Sequence, residues 1–441
     1  MANLSESEAR SILQKVLALS RADECEVTLG GGRSANLRFA RNAVSTSGAS
    51  ERLSLSVTCS FGLRSGSATI NEFDDASLAR VVRTAEELAR LSPENPESVK
   101  LPGPQKYLEP AGYFASTAGL TQQDRVRQTA ASIGICREAK LAAAGFLEDS
   151  TRFSALANSK GLFAFQRSTG VDFSITARTE DGTGSGYALA DFNDASRLDA
   201  AAVTRIAAKK AAMSKGARAI EPGKYTVILE PAAAGTLIDL MVGSMDARSA
   251  EEGRSYLSKA GGGTRQGEKL LDERVRLYSD PLHPEVPGSK WTQDGLPQRR
   301  IDWFEGGVVR NLRYSRFWAR KKELSEDKVA LGGGPTIMDG TDTSLEALIK
   351  GVKRGVLVTN LWYIRMVDPQ TLLHTGLTRD GTFYVEDGEI RHPLKNFRFN
   401  ESPVIMLNNL EALGRPTRVK GSLIPPMVVR DFTFSSLSDA V

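Results

Sequence analysis

The chain has 441 residues, which is longer than one ordinary hydrophobic core supports, so two domains are expected. Hydrophobic residues make up 41% and charged residues 25%, a composition typical of an ordinary globular protein. The 57 Lys and Arg residues against 53 Asp and Glu leave a net charge of only +4. This bias is too weak to indicate binding to nucleic acid or to an anionic membrane.

The N-terminal segment MANLSESEARSILQKVLALS has acidic residues before its apolar positions and no uninterrupted apolar stretch, so it predicts no signal peptide. No stretch approaches the roughly 18 apolar residues of a membrane span. The cysteines Cys25, Cys59 and Cys136 are scattered, odd in number and flanked by apolar or small residues, which indicates reduced core thiols. We therefore expect a cytoplasmic protein that does not contact a membrane.

Cap signals predict two helices in the N-terminal half. Ser5 can cap a first helix that runs through Leu19, and Thr121 can cap another that runs to about Leu141. Proline-punctuated stretches lie between them and predict a linker.

The N-terminal half also contains a repeat. Residues 55–91 and 173–213 each run from a strand through a Phe-x-Asp-Ala-Ser cap into an Ala/Arg-rich amphipathic helix. A duplicated unit of antiparallel sheet plus helix explains this pattern. We expect an N-terminal α+β domain over residues 1–220, with the copies at about 33–91 and 151–213.

The C-terminal half has short strands separated by Gly/Pro turns. The segment Ile220-Glu-Pro-Gly-Lys224 predicts the domain boundary, and residues 305–308 and 386–389 predict tight turns between strands. We expect a β-rich domain over residues 221–441. Together with the first domain, this predicts an α+β fold.

Residues 227–244, VILEPAAAGTLIDLMVGS, predict an apolar strand, a proline break and a helix that ends in Asp239, Leu240 and Ser244. The apolar residues of this helix have the spacing of a core-facing helix. Positions 239 and 244 are about 140° apart on an ideal helix, so their pairing at a metal would need a bulge or a helix end.

In this setting the segment resembles the core of the TldD/PmbA family, whose active peptidase members carry His-Glu-x-x-x-His on the same helix. Without a gap, Asp239 stands at the first His, Leu240 at the Glu and Ser244 at the second His. Zinc hydrolysis needs imidazole or thiolate ligands and a carboxylate that accepts a proton from the bound water. Leu240 can do none of this. The resemblance therefore implies a degenerate motif with no catalytic residue at these positions.

Two further observations agree with the loss of a metal site. The resemblance implies a third, cysteine ligand near residues 414–419, which here read Gly-Arg-Pro-Thr-Arg-Val. The histidines of the chain are His283, His374 and His392, and none has a His or Cys partner at ligand spacing. We expect neither a metal nor another cofactor.

The resemblance covers most of residues 221–430. Residues 301–324 are similar to a family segment of strand, acidic-Gly turn, strand and Tyr/Arg-rich helix, and residues 377–396 to its C-terminal block. On that helix the aromatic residues are expected on the core side and the arginines on the solvated face or on a peptide carboxylate. Arg316 is thus a candidate for substrate binding, and a nucleic-acid surface is not favoured.

The C-terminal block supplies the other candidates for substrate binding, which are Thr378, Arg379 and Asp380. A carboxylate and an arginine at this place, together with Asp239, could also carry out acid–base chemistry. This leaves open an enzyme with relocated catalytic residues, such as a hydrolase or a peptide-modifying enzyme.

The resemblance implies a non-catalytic TldE-type subunit that acts in proteolysis or peptide processing. Its expected partner is a zinc-bearing TldD-like relative or the chain itself, as a dimer or higher oligomer, and together they would enclose an unfolded or extended peptide. The alternatives are the enzyme with relocated residues and a homo-oligomeric scaffold that holds a peptide strand by β-augmentation.

Overall fold

The computed structural model describes residues 3–438, which fold into helices and sheets as expected for an α+β protein. The helices are α1 Glu6–Leu19, α2 Asp75–Leu91, α3 Ala115–Ala118, α4 Gln122–Glu138, α5 Ala200–Met213, α6 Pro231–Gly243, α7 Ala247–Glu251, α8 Arg316–Lys321, α9 Leu345–Lys350 and α10 Pro403–Asn408. The strands are β1 Glu24–Ala40, β2 Ala43–Phe61, β3 Arg64–Ile70, β4 Leu141–Asn158, β5 Phe163–Thr179, β6 Ser185–Phe192, β7 Gly223–Leu229, β8 Leu277–Ser279, β9 Ile301–Glu305, β10 Val308–Val309, β11 Ile337–Met338, β12 Arg354–Asp368, β13 Leu373–Glu386, β14 Glu389–Pro393, β15 Asn396–Glu401, β16 Leu410–Leu413, β17 Thr417–Val419, β18 Ser422–Ile424 and β19 Met427–Ser438.

The first six strands form one antiparallel sheet in the order β3-β2-β1-β4-β5-β6. Pairing of β1 with β4 joins two units that each run helix, three strands, helix, from α1 to α2 and from α4 to α5. Alternate residues such as Val27 and Leu29 are buried in the cluster that includes α1 and α2. On the opposite face of the sheet, Leu156 packs with Trp291 of the C-terminal half.

The two predicted helix caps are confirmed. The side chains of Ser5 and Thr121 each accept a hydrogen bond from the backbone N–H of the third helical residue, and the carboxylate of that residue accepts one from the backbone N–H of the cap. The helix after Thr121 ends at Glu138, earlier than predicted, because Leu141 already belongs to β4.

The helix that ends the second unit starts later than the Phe-x-Asp-Ala-Ser signal predicted. Asp194 caps only a 3-10 turn over Ala195–Arg197, and the α-helix begins after Asp199, whose side chain accepts the bond of Ala202 N–H. Leu198 between them is extended and buried, so packing interrupts the local helix signal.

Five strands of the C-terminal half close into a ring. In order around it, β12 pairs with β7, β7 with β19, β19 with β15, β15 with β13, and β13 pairs back with β12. A second sheet runs β10-β9-β8-β11-β18-β17. The predicted turns over residues 305–308 and 386–389 join β9 to β10 and β13 to β14, as expected.

Helix α6 packs between the ring and the β17–β18 hairpin. Pro231 starts the helix at its first position, where a missing N–H costs nothing. A Cβ at Gly235 would lie 3.3 Å from Ile424 and 3.4 Å from Val419, so helix and hairpin approach closely. The core-facing side predicted for this helix is confirmed by the burial of Leu237, Ile238, Met241 and Val242.

Candidate functional site

The last turns of α6 carry the three motif positions, and Asp239 faces the β17–β18 hairpin. Its Oδ1 accepts a hydrogen bond of 3.1 Å from Ser422 Oγ. Burial raises the pKa of the Asp239 carboxyl, against the opposing effects of hydrogen bonds from Thr336 and Ser422 and of the Lys420 charge. The carboxylate therefore connects the helix to the hairpin.

The other two positions complete the helix and its packing. Leu240 packs against the main core cluster, and Ser244 is the C-cap, whose Oγ donates a 2.8 Å bond to Leu240 O. The Arg313 guanidinium donates to Val242 O and Gly243 O, each at 3.3 Å. Carbonyls that the helix end would leave without partners are thus satisfied by a cation at the negative end of the helix dipole.

These residues do not fit the zinc site that the resemblance implies for active relatives. Leu240 has no side-chain atom that could bind a metal, the Ser244 hydroxyl is hydrogen-bonded to the backbone, and Asp239 is the one carboxylate of helix α6. Across residues 3–438, no group of three His, Cys, Asp or Glu side chains could hold a metal ion. The last turn of α6 has the packing of an ordinary helix end.

The hairpin beside Asp239 also connects the two halves of the chain. Arg418 Nε donates to Asp191 Oδ2 at 2.8 Å and its Nη1 to Asn193 Oδ1 at 2.7 Å. The backbone N–H of Gly421 bonds the same Asp191 oxygen at 2.9 Å. The hairpin therefore holds α6 on one side and strand β6 on the other.

The candidates Thr378, Arg379 and Asp380 lie together on β13, at a bulge opposite Thr359. Thr378 is fully buried, and its hydroxyl donates to Asn396 Oδ1 at 3.1 Å. Asp380 is 5% exposed, has a φ of 56°, and its Oδ2 lies 3.4 Å from Arg379 Nε. Its Oδ1 is buried without a hydrogen-bond partner in the described structure.

Arg316 lies elsewhere, and the expectation of a solvated arginine face is wrong for it. The side chain is 5% exposed, because its Nε pairs with Glu326 at 3.1 Å and its Nη1 donates to Lys100 O at 2.9 Å. Helix α8, where it lies, has six residues. Within the described chain, no hydrogen bond or ion pair joins Asp239, Arg316 and the β13 group, and a substrate role for Arg316 and for the β13 residues stays a prediction.

A groove on the open face of the first sheet was not predicted. It has a volume of about 740 Å³. The sequence of β2 contains a pattern that indicates this polar groove. Polar residues stand at alternate positions, which share one face of a strand; they are Ser50, Arg52, Ser54 and Ser56. The lining includes Thr28, Gly30, Ser34, Ser50, Arg52, Ser54, Ser56, Glu148, Arg152, Ser154 and Trp291.

One border of this groove is a free strand edge. Among residues 3–438, strand β3 pairs only with Leu55–Phe61 of β2, whereas residues 43–54 of β2 pair with β1 alone. An unpaired edge offers backbone N–H and C=O groups to another extended chain.

Among residues 3–438, no helix combines the length and apolar character that a membrane span requires.

Comparisons with known proteins agree with this architecture. Three family models match in order, described as PmbA/TldA metallopeptidase domain 1 at residues 25–89, central domain at 122–215 and C-terminal domain at 222–436. A metalloprotease from Methanothermobacter thermautotrophicus is 23% identical over 282 residues, which are 60% of this chain and 61% of that protein. The aligned part of the chain thus spans less than two thirds of that relative.

Two solved structures share the fold along nearly the whole chain. TldE from Thermococcus kodakarensis has a TM-score of 0.85 at 18% identity, covering 97% of this chain and 99% of that one. A Thermotoga maritima protein, proposed as a modulator of a DNA gyrase, has a TM-score of 0.86 at 16% identity, covering 97% of this chain and 100% of that one. With three family models that together match most of its length, the chain belongs to the TldD/PmbA family.

Proposed function

We propose that this chain is a non-catalytic, TldE-type subunit that pairs with a zinc-bearing relative of its family in the cytoplasm and helps to enclose an extended peptide for proteolysis. The observation that carries the proposal is that the three motif positions of α6 have structural roles and supply no zinc site. In a complete family fold, Asp239 bonds Ser422, Leu240 packs on the core, and Ser244 caps the helix. Zinc chemistry at this helix needs imidazole and carboxylate groups that these residues do not supply.

The groove on the first sheet supports a peptide as the ligand. Its lining is rich in serine and glycine, and Arg33, Arg52 and Arg152 outnumber the single carboxylate of Glu148, which gives the groove a positive charge. The edge of β2 beside it can add a strand through backbone hydrogen bonds, which read an extended shape and not a particular sequence. An unfolded peptide fits both features.

Reconstitution tests the proposal. This chain is purified alone, and again after co-expression with a family member from the same source that carries His-Glu-x-x-x-His, and cleavage of an unfolded peptide and bound zinc are measured. We expect no cleavage by this chain alone, and cleavage with zinc assigned to the relative in the complex. Stoichiometric zinc on this chain, together with cleavage by it alone, would falsify the proposal.

The groove is tested in the same complex. Ser54→Trp places an indole in the groove, while Ser436→Trp changes an exposed serine on β19, in another sheet and outside the groove lining. We expect Ser54→Trp to weaken peptide binding at least about tenfold, as loss of a few contacts of about 1 kcal/mol each would. Ser436→Trp should bind as the wild type does. Equal binding by both variants would show that the peptide lies elsewhere.

A further inference from the structure

Two arginines border the groove on either side of strand β1. In the sheet, Gly32 of β1 lies directly opposite Arg52 of β2 and directly opposite Arg152 of β4. All three residues line the groove, so they share one face of the sheet. Because Gly32 has no side chain, nothing from β1 fills the space between the two arginines. Gly30, Gly32 and their partners on β2 and β4 are named the β1 channel.

The neighbouring row of the β1 channel repeats this arrangement with hydroxyl groups. Gly30 lies opposite Ser54 on one side and Ser154 on the other. Neither hydroxyl has a hydrogen-bond partner among residues 3–438. Glycines in the floor let another chain come close to the sheet backbone. The channel therefore has a low floor of backbone and two walls of hydrogen-bond donors.

Neither arginine of the β1 channel is in an ion pair. Within residues 3–438, no carboxylate contacts the guanidinium of Arg52 or Arg152, and both side chains are exposed. Glu148 in the groove lining is four residues from Arg152 along β4, which is about 13 Å at the rise of a strand. Two positive charges on facing walls repel each other, and an anion bound between them would replace this repulsion with attraction.

The spacing of the strands suits one carboxylate between the two arginines. Neighbouring strands lie about 4.8 Å apart, so the Cα atoms of Arg52 and Arg152, two strands apart, are separated by about 10 Å. Long side chains from both walls can meet above Gly32 across this distance. A guanidinium binds a carboxylate through two parallel N–H donors, and such bonds are about twice as strong as those to a neutral acceptor. The β1 channel should therefore distinguish a carboxylate from an amide of the same shape.

We propose that Arg52 and Arg152 together bind a carboxylate of the peptide, so that this chain selects acidic peptides. The inference rests on the proposed function, since it takes the groove as the peptide site. Backbone hydrogen bonds at the edge of β2 hold an extended chain of any sequence. The arginine pair adds a preference among such chains. The carboxylate is that of an Asp or Glu side chain or that of the peptide C-terminus, and the experiment separates the two.

The preference is measured as kcat/KM for unfolded peptides in the complex with the zinc-bearing relative. One set of peptides has an amidated C-terminus and a single Glu at each position in turn, with Gln as the reference, and one further Gln peptide has a free C-terminus. We expect Glu at one position, or the free C-terminus, to raise kcat/KM at least about fivefold over the amidated Gln peptide. Added salt should reduce this ratio, because it screens exposed charges.

Variants of this chain assign the preference to the arginine pair. Arg52→Gln and Arg152→Gln should each lower the ratio, and the double variant should lower it at least about fivefold. The control is Arg83→Gln, which removes the same charge from an exposed position of α2, on the opposite face of the sheet. Gly32 is left unchanged, since a Cβ there would clash with Thr151 O.

The outcomes separate this inference from the proposed function. Cleavage of all peptides at equal kcat/KM, or a ratio in the double variant equal to that of Arg83→Gln, overturns the arginine site and leaves the proposed function standing. If no peptide is cleaved by the complex, both fail. A single-stranded oligonucleotide that inhibits the control more strongly than the double variant, without a preference among peptides, would show that the pair binds nucleic-acid phosphates and would also overturn the inference.

Discussion

The Asp239 carboxylate is a structural contact between helix α6 and strand β18. Its hydrogen-bond partners, Ser422 and Thr336, are themselves buried, at 5% and 6% exposed. A buried hydroxyl without an acceptor is costly, so the carboxylate stabilises both neighbours. Its own burial is costly when it is charged, and this raises its pKa.

Substitution of Asp239 separates these two effects. Asp239→Ala leaves the two hydroxyls without their acceptor, and we expect a loss of about 1–3 kcal/mol in the free energy of unfolding. Asp239→Asn keeps an acceptor oxygen and removes the charge, so we expect nearly wild-type stability. Urea unfolding of both variants measures these values, and a loss in Asp239→Asn as large as in Asp239→Ala would show that the charge itself is required.

The pH dependence follows from the same pKa. Because the folded-state pKa of Asp239 is above its unfolded value of 3.8, its favourable contribution is fully present below that value and is lost as the pH rises through the folded pKa. Asp239→Asn lacks this loss. The stability of the variant relative to the wild type should therefore increase from acid towards neutral pH, and parallel pH profiles would contradict the assignment.

At the scale of single elements, the sequence predicted those whose signals are local. The capping boxes of Ser5 and Thr121, the proline that starts α6 and the glycine turns after β9 and β13 each act within a few residues. The prediction that was wrong also has a physical explanation. The burial of Arg316 depends on Glu326 and on Lys100, 216 residues away, and no local pattern encodes such a contact.

The end of α6 is not expected to become a zinc site when the motif residues alone are restored. The triple substitution Asp239→His, Leu240→Glu, Ser244→His restores the three residue types of the zinc motif. We expect this variant to have neither peptidase activity nor stoichiometric zinc. The new carboxylate would replace a side chain packed on the core, and the second imidazole would replace the C-cap. The β17–β18 hairpin supplies no cysteine. Loss of the groups that orient imidazole ligands typically lowers metal affinity or activity about 10–100-fold.

We also expect the triple variant to be destabilised by a few kcal/mol, since unpaired polar groups are placed against the core. Zinc content and turnover of an unfolded peptide are measured with added zinc, and Asp239→His alone serves as the control. Zinc-dependent turnover by the triple variant that the wild type lacks would mean that a third ligand is present after all.

For the molecule as a whole, the sequence predicted the fold class but not which strands pair or how the two halves of the chain contact each other. Strand and helix patterns predicted an α+β protein because they reflect local periodicity. The closure of β12 onto β13 and the groove beside β2 depend on which strands pair, and pairing is set by packing across the whole chain. The contact of Asp191 with Arg418 joins residues 227 positions apart.

The Asp191–Arg418 contact is expected to couple the unfolding of the two halves of the chain. Arg418 and Asp191 Oδ2 form an ion pair with side chains only 11% and 7% exposed, and Asp191 Oδ1 has no hydrogen-bond partner in the described structure. Arg418→Met therefore leaves a buried carboxylate without its counter-charge, which typically costs about 3–5 kcal/mol, whereas removal of both charges costs less. We expect calorimetry of Arg418→Met to resolve two unfolding transitions, because the remaining bond from Gly421 N–H to Asp191 holds β6 and the β17–β18 hairpin together less strongly. The double variant Asp191→Asn/Arg418→Met should recover part of the lost stability. A single transition in Arg418→Met with a loss below about 1 kcal/mol would show that the halves are coupled through other contacts.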